Sequence, residues 1–188
     1  MNKLNDTIET DLIRQAQAGS ENAFGKLVHM YNPRLFSFLL RLTGDRHSAE
    51  DLFQETCLKV WRNIRSYDQQ KNFATWLFAI AHNVSIDALR YHAVRKMVKT
   101  RAVLPDVVSG SAPDDEMIAD ELRDELDRAV GALPEKQKKV FVLRQHSGMS
   151  FKDISKLTGE SINTTISHMH YALKKMKRVL KREHNNGS

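Results

Sequence analysis

The chain has a single cysteine, Cys57, among 188 residues. A lone cysteine excludes an intramolecular disulfide and a cysteine-rich zinc site. It stands inside a helical pattern and reads as a small core residue. Long apolar runs are also missing. The longest, Trp76–Ala81, falls far short of the ~20 residues that span a bilayer, so no direct membrane insertion is expected. The first residues lack a cationic start followed by an apolar core, so no signal peptide is expected and the predicted location is the cytoplasm. There is no phosphate-binding glycine loop, no HExxH and no nucleophile elbow. His168 and His170 are two residues apart and point to different sides of a helix, which makes them poor co-ligands. No catalytic residue, metal site, cofactor or small-molecule substrate is expected, and the chain is not read as an enzyme.

No segment alternates as a strand would, and there is no internal repeat. The predicted fold is all-α: two small helical domains joined by a flexible acidic linker, the C-terminal one a helix-turn-helix. Residues 1–23 read as a polar lead-in with one short helix, Asp11 to Ala18, ended by Gly19. Ser20 is a candidate cap for a helix from Ala23 to Tyr31. Asn32-Pro33 is expected to restart the chain, because proline suits the first turn of a helix and not its interior. Leu35 to Leu42 is apolar on nearly every side. Ser48 is the expected cap of the next helix, with acids in its first turn. That helix turns Phe53, Val60, Trp61 and Ile64 inward, and Glu50, Asp51, Gln54, Glu55 and Lys59 outward. A polar loop, Ser66 to Asn72, leads into a long helix, Phe73 to Arg95. Trp76, Leu77, Ile80, Ala81, Val84 and Ala88 lie on its packed side. From Leu104 to Leu122 there are six acids and no Lys or Arg, with prolines near the start, which reads as linker. The domains are therefore set at 24–96 and 129–183, with a linker over 97–128 and a frayed tail over 184–188.

Charge follows the same division. Net charge is +6, unevenly spread. Residues 24–95 hold ten basic and six acidic side chains, 96–128 hold five and nine, and 129–188 hold twelve and four. Two basic blocks flank an acidic one, as in a chain that meets polyanion at two places and keeps the connector away from it.

The most informative stretch is Ser150 to Arg182. Ser150 is a plausible cap with Asp153 at the capping-box position. Gly159 can end a short helix, and Ser161 can cap a longer one. On the longer helix Ile162, Ile166, Met169, Leu173, Met176 and Leu180 recur at spacings of three and four and form the expected packed stripe. Thr164, Ser167, His168, Tyr171, Lys174, Lys175, Arg178 and Arg182 face away. A helix of this kind entering DNA by its N-terminal end would place hydroxyls and imidazole on base edges and cations on phosphates. Taken alone it could equally be a solvated basic face.

Residues 24–96 resemble the second conserved region of bacterial sigma factors, most specifically in Ala49-Glu-Asp-Leu-Phe-Gln-Glu-Thr-Cys-Leu-Lys-Val-Trp61 and in the run from Asn72 to Arg90. Residues 129–182 resemble the fourth region, through Leu133-Pro134, Val140-Phe141, Leu143-Arg144, Gly148-Met-Ser150, Asp153-Ile154 and Gly159. The order of the blocks and the short connector resemble the extracytoplasmic-function group of the sigma-70 family. The resemblance implies an initiation factor that binds core RNA polymerase, directs it to promoter DNA and helps to open it. It implies polymerase contacts through Asp51, Gln54, Glu55 and Leu58. It implies a downstream (minus-ten) promoter surface on Tyr67, Lys71, Phe73, Trp76, Asn83, Asp87 and Arg90, and an upstream (minus-thirty-five) surface on Thr164, Ser167, His168, Tyr171, Lys174, Lys175 and Arg178. An anti-sigma factor is the further partner it implies. The family usually carries arginine where His168 and Tyr171 stand, so the resemblance does not carry over the identity of the upstream element.

Opening about ten base steps at roughly 1.4 kcal/mol each costs on the order of 14 kcal/mol. Two small basic domains do not supply that, so the expected working form is a holoenzyme. The rival reading is a helix-turn-helix regulator without stable polymerase association, which would need neither the acidic face nor the polar loop before Phe73.

Overall fold

The computed structural model describes the backbone of residues 3–98 and 125–186 and the side chains of 6–90 and 125–180. Its helices are α1 (Lys3–Gln17), α2 (Glu21–Thr43), α3 (Arg46–Asn63), a 3-10 turn (Ile64–Ser66), α4 (Phe73–Val98), α5 (125–131), α6 (Glu135–Ser147), α7 (Phe151–Thr158) and α8 (Ile162–Asn186). No strand occurs among the described residues. The chain divides into two units, Met1–Ala102 and Val103–Ser188. Most of the segment expected to be linker, 99–124 of 97–128, lies outside the described residues.

In the first unit α2 is central and packs on α1, α3 and α4. Ser20 caps it, accepting from the Ala23 N–H at 3.2 Å, and Gly44 ends it at φ 71°, where a Cβ would be strained. The expected break at Pro33 does not occur, and α2 runs through it. Proline inside a helix loses one backbone hydrogen bond and presses on the carbonyl four residues back, at a cost of about 3 kcal/mol. Continuity of the buried face outweighs this. Ala23, Leu27 and Tyr31 before the proline and Leu35, Phe38 and Leu39 after it are all buried on one side. Pro33 itself is exposed. Pro33→Ala should therefore stabilise the unit by about 2 kcal/mol once the stiffer unfolded chain is discounted, read as a higher melting temperature.

Three further expectations change. The cap of α3 is Asp45, not Ser48: its carboxylate accepts from the Ser48 N–H at 2.8 Å. The lead-in is not a separate piece, because α1 spans fifteen residues and packs on α2 and on the 3-10 turn, with Ile13 and Ala16 buried. On α4, Phe78, His82 and Ser85 join Leu77, Ala81 and Val84 in the interior, while Trp76, Ile80 and Ala88 are only half-buried.

In the second unit α6 and α7 pack against α8. Gly148 (φ 70°) and Gly159 (φ 74°) end α6 and α7. Ser150 accepts from the Asp153 N–H at 3.1 Å and donates to the Asp153 carboxylate at 2.6 Å. Ser161 accepts from the Thr164 N–H at 3.1 Å. The Arg144 guanidinium donates to the Met149 carbonyl and lies over the Phe151 ring, tying the end of α6 to the start of α7.

Candidate nucleic-acid and polymerase interfaces

The α6–α7–α8 arrangement displays α8 along much of its length. The packed side of α8 is not the large apolar stripe expected from the sequence. Thr165, Ala172 and Met176 are buried, with Met169, Val179 and Leu180 half-buried. Ile162, Ile166 and Leu173 are between 43% and 49% exposed. The seam is rotated by about 60°, less than the turn of one residue. Small side chains explain it. Ala172 lets the neighbouring helices approach closely, and the Thr165 hydroxyl can be buried because it donates to the Ser161 carbonyl at 3.0 Å.

The rotation redistributes the candidate upstream residues. Thr164, Ser167, Tyr171, Lys174 and Arg178 are exposed, and so are Asn163, His170 and Lys177, which the sequence reading did not single out. Lys175 is half-buried. His168 is turned toward the bundle, only 20% exposed, with its Nε2 3.2 Å from Glu160 Oε2. Lys136 of α6 meets the other oxygen of Glu160 at 3.1 Å. His168 thus faces Glu160, which Lys136 of α6 also meets, and not the outer face. The side chain of Arg182 lies outside those described.

In the first unit the loop before α4 is tightly built. The Tyr67 hydroxyl donates to the Lys71 carbonyl. Burial pushes that hydroxyl up to about 12, so it stays protonated and able to donate. The Lys71 N–H donates to the Asp68 carbonyl at 3.0 Å, and the Asn72 side chain caps α4 by accepting from the Thr75 N–H at 2.9 Å. Tyr67 and Phe73 are buried and Trp76 half-buried. Their rings form one cluster, with centroids 4.8 Å apart for Tyr67–Trp76 and 5.3 Å for Tyr67–Phe73. Two of the three rings on the expected downstream surface are therefore turned inward, and the third, Trp76, is half-buried. From it the spacing Trp76, Ile80, Asn83, Asp87, Arg90 follows one stripe of α4. The last three are exposed, as is Lys71. Beside the loop lies a cleft of about 230 Å³, whose wall on the far side is α1 (Asp6, Glu9, Thr10 and Ile13).

On α3, Asp51, Gln54, Glu55 and Leu58 lie at spacings of three and four, and all are exposed, Leu58 by 55%. Glu55 pairs with Lys59 at 3.1 Å. Among the described residues, Asp51, Gln54, Glu55 and Leu58 of α3 and Asn83, Asp87 and Arg90 of α4 are all exposed. Among the described residues no helix is long and apolar enough to cross a membrane, and no group of three or more His, Cys, Asp or Glu could hold a metal ion.

Two family models match the chain in order: Sigma-70 region 2 over residues 27–95 and Sigma-70, region 4 over residues 123–176. The chain belongs to the sigma-70 family. Its group is the extracytoplasmic-function one. The chain is 27% identical over 177 residues to the ECF RNA polymerase sigma factor SigW of Bacillus subtilis (strain 168), covering 90% of this chain and 95% of that protein. It is 25% identical over 183 residues to the RNA polymerase sigma-H factor of Pseudomonas aeruginosa, covering 92% and 93%. The fold is shared with the sigma factor RpoE of Bartonella quintana, solved with the anti-sigma factor NepR, at a TM-score of 0.71 and 24% identity over 84% of this chain and 96% of that one. It is also shared with CnrH, solved with the cytosolic domain of CnrY, at a TM-score of 0.62 and 21% identity over 93% and 98%. A sigma factor of this group is a transcription-initiation factor that gives RNA polymerase its promoter specificity. A lone helix-turn-helix regulator would account for the second match and leave the first unexplained.

Proposed function

We propose that three surfaces divide the work of this sigma factor. The α3 face of Asp51, Gln54, Glu55 and Leu58 docks on core RNA polymerase. The loop from Tyr67 to Asn72 and the α4 stripe of Trp76, Asn83, Asp87 and Arg90 meet the downstream element, with Lys71 and Arg90 toward phosphates. The outer face of α8, from Thr164 through Ser167 and Tyr171 to Lys174 and Arg178, meets the upstream element. The observation that carries this reading is the segregation of charge on exposed faces. Carboxylates on α3 repel DNA and suit a basic protein partner. Cations on α8 suit a phosphate backbone.

The downstream surface changes in detail from the sequence reading. With Tyr67 and Phe73 packed inward, they shape the loop, and the cleft beside them is the concave place where an unpaired base would sit. His168 likewise supports α8 through Glu160 and makes no base contact. The chain contributes recognition and no covalent step. It acts in the cytoplasm, where the DNA and polymerase are. An anti-sigma partner that covers these faces is part of the proposal, supported by the two complexes of the same fold.

The test is reconstitution with core polymerase and mapping of transcript starts on a randomised promoter library. Defined starts that depend on this chain support the reading, and their absence removes it. Within that assay, Lys174→Ala should reduce the slope of log binding against log salt by about one unit while leaving sequence preference alone. An unchanged slope would show that Lys174 touches no phosphate.

A further inference from the structure

The geometry points to Gln17, the last residue of α1, as the residue that positions the downstream-reading loop. This rests on the proposal that the loop and α4 meet the downstream element.

The loop after the 3-10 turn has internal bonds that fix its shape. They do not fix where it stands on the bundle. Tyr67 supplies one anchor by packing on Phe73 and Trp76. Gln17 supplies another, from a different element. Its amide nitrogen donates to the Ile64 carbonyl at 2.9 Å and to the Tyr67 carbonyl at 2.7 Å, bridging the end of α3 and the start of the loop across 47 and 50 residues of chain. Its amide oxygen accepts from the Gln69 side chain, further along the same loop. One side chain therefore uses two N–H groups and an oxygen to hold three points. The Ile64 carbonyl also closes the 3-10 turn, accepting from the Tyr67 N–H at 3.1 Å, and the Tyr67 carbonyl opens the loop that follows.

The backbone of α1 is ended so as to place this side chain. The Ala18, Gly19 and Ser20 N–H groups close back on the Arg14, Ala16 and Gln15 carbonyls at 2.9–3.1 Å. Gly19 adopts φ 98°, which a side chain would resist, and an added Cβ there would come 3.6 Å from the Arg65 guanidinium. The helix thus stops against the 3-10 turn, with Gln17 directed into it. The cleft beside the loop has the same two walls, α1 and residues 67–73. Its width is set by the same clamp.

The functional consequence concerns discrimination. A loop held before DNA arrives presents one set of groups, so the right and wrong sequences differ by the full value of their contacts. A loop free to shift can adapt to either sequence, and the difference between them shrinks. Gln17 touches no DNA. It acts through Tyr67, Gln69 and the loop backbone.

The experiment compares run-off transcription by reconstituted holoenzyme from two promoters that differ only in the downstream element, one selected from the library and one scrambled. The readout is the ratio of the two rates. Simple loss of folded protein scales both rates equally and leaves the ratio alone. Gln17→Met, which keeps length and removes every donor, should lower the ratio at least fivefold. Gln17→Glu, which turns a carboxylate onto two carbonyls, should lower it further. Gln69→Ala, on an exposed residue, should lower it at least threefold and serves if a Gln17 variant does not fold. The corresponding ratio for the upstream element should not move. Asn83→Ala and Asp87→Ala, on the exposed α4 stripe and not assigned to phosphates, are run alongside. If these lower the downstream ratio and the Gln17 and Gln69 variants leave it within twofold of the parent, the clamp is overturned and the downstream surface stands. If Asn83→Ala and Asp87→Ala also leave it unchanged, the downstream surface is wrong and the clamp falls with it.

Discussion

Phe38→Ala is expected to lower the melting temperature of the first unit by roughly 15–30 °C. Phe38 lies on the buried side of α2 and is fully enclosed. Its ring meets that of Phe78 on α4 edge-on, with centroids 5.1 Å apart at 88°. Truncating a buried phenylalanine to alanine costs about 3–5 kcal/mol through lost transfer energy and the cavity left behind. For a unit of this size each kcal/mol shifts the midpoint by about 4–8 °C. Total stability of such domains is only about 5–15 kcal/mol, so the variant should be largely unfolded at growth temperature. Both tryptophans of the chain, Trp61 and Trp76, belong to this unit, so fluorescence follows its melting alone. Phe38→Leu refills most of the space and should lose no more than about 1.5 kcal/mol. A drop below about 5 °C for Phe38→Ala would mean that α2 and α4 do not meet through this ring pair. Core-polymerase binding should be lost with the fold, since α3 is held in place by packing on α2 and α4.

The α2 half of that core was legible in the sequence, because Phe38 falls in a run that is apolar on nearly every side; the Phe78 half was not, since the expected packed side of α4 ran through Trp76 and Ile80. What was not legible follows from local physics that hydrophobicity does not encode. Pro33 signals a helix boundary on propensity, and only the alignment of Leu27 and Tyr31 with Leu35 and Phe38 shows why the helix passes through. Asp45 and Ser48 are both capping residues by type. Which of them caps depends on where the chain reverses after Gly44, and the structure gives Asp45. On α8 the pattern of Ile162, Ile166 and Leu173 has the right period and the wrong phase. The helix packs through Thr165 and Ala172, which carry little weight in an apolar count yet allow the closest approach. The same shift of phase takes His168 off the outer face. Gln17 gave no signal at all. A glutamine near the end of a polar helix is ordinary in sequence, and its role appears only when Ile64, Tyr67 and Gln69 are folded beside it. Family resemblance carried the acidic face of α3. Read without it, exposed acids on a helix are a solvated surface.

That acidic face carries the second large effect. The double variant Asp51→Lys with Glu55→Lys should weaken binding to core polymerase by at least a hundredfold and leave the fold intact. Both side chains are exposed and point away from the bundle. Within the unit the cost is small. Glu55 has an exposed pair with Lys59, worth about 0.3–0.5 kcal/mol, and its reversal puts two like charges at the same helical spacing for a similar penalty. At an interface with a basic partner the balance differs. Each reversal removes an attraction and adds a repulsion in a region shielded from water, where facing like charges cost several kcal/mol. Two such changes exceed the ~2.7 kcal/mol that a hundredfold loss requires. The tryptophan melt should move by less than about 5 °C, and binding of the full-length chain to upstream DNA through α8 should be unchanged. Leu58→Ala, on the same stripe, should weaken polymerase binding by a smaller factor at every salt concentration, because an apolar contact is not screened. The charge reversals should be felt most at low salt. Equal affinity of the double variant and the parent for core polymerase would place the docking surface elsewhere in the first unit and leave the α3 acids as solvated side chains.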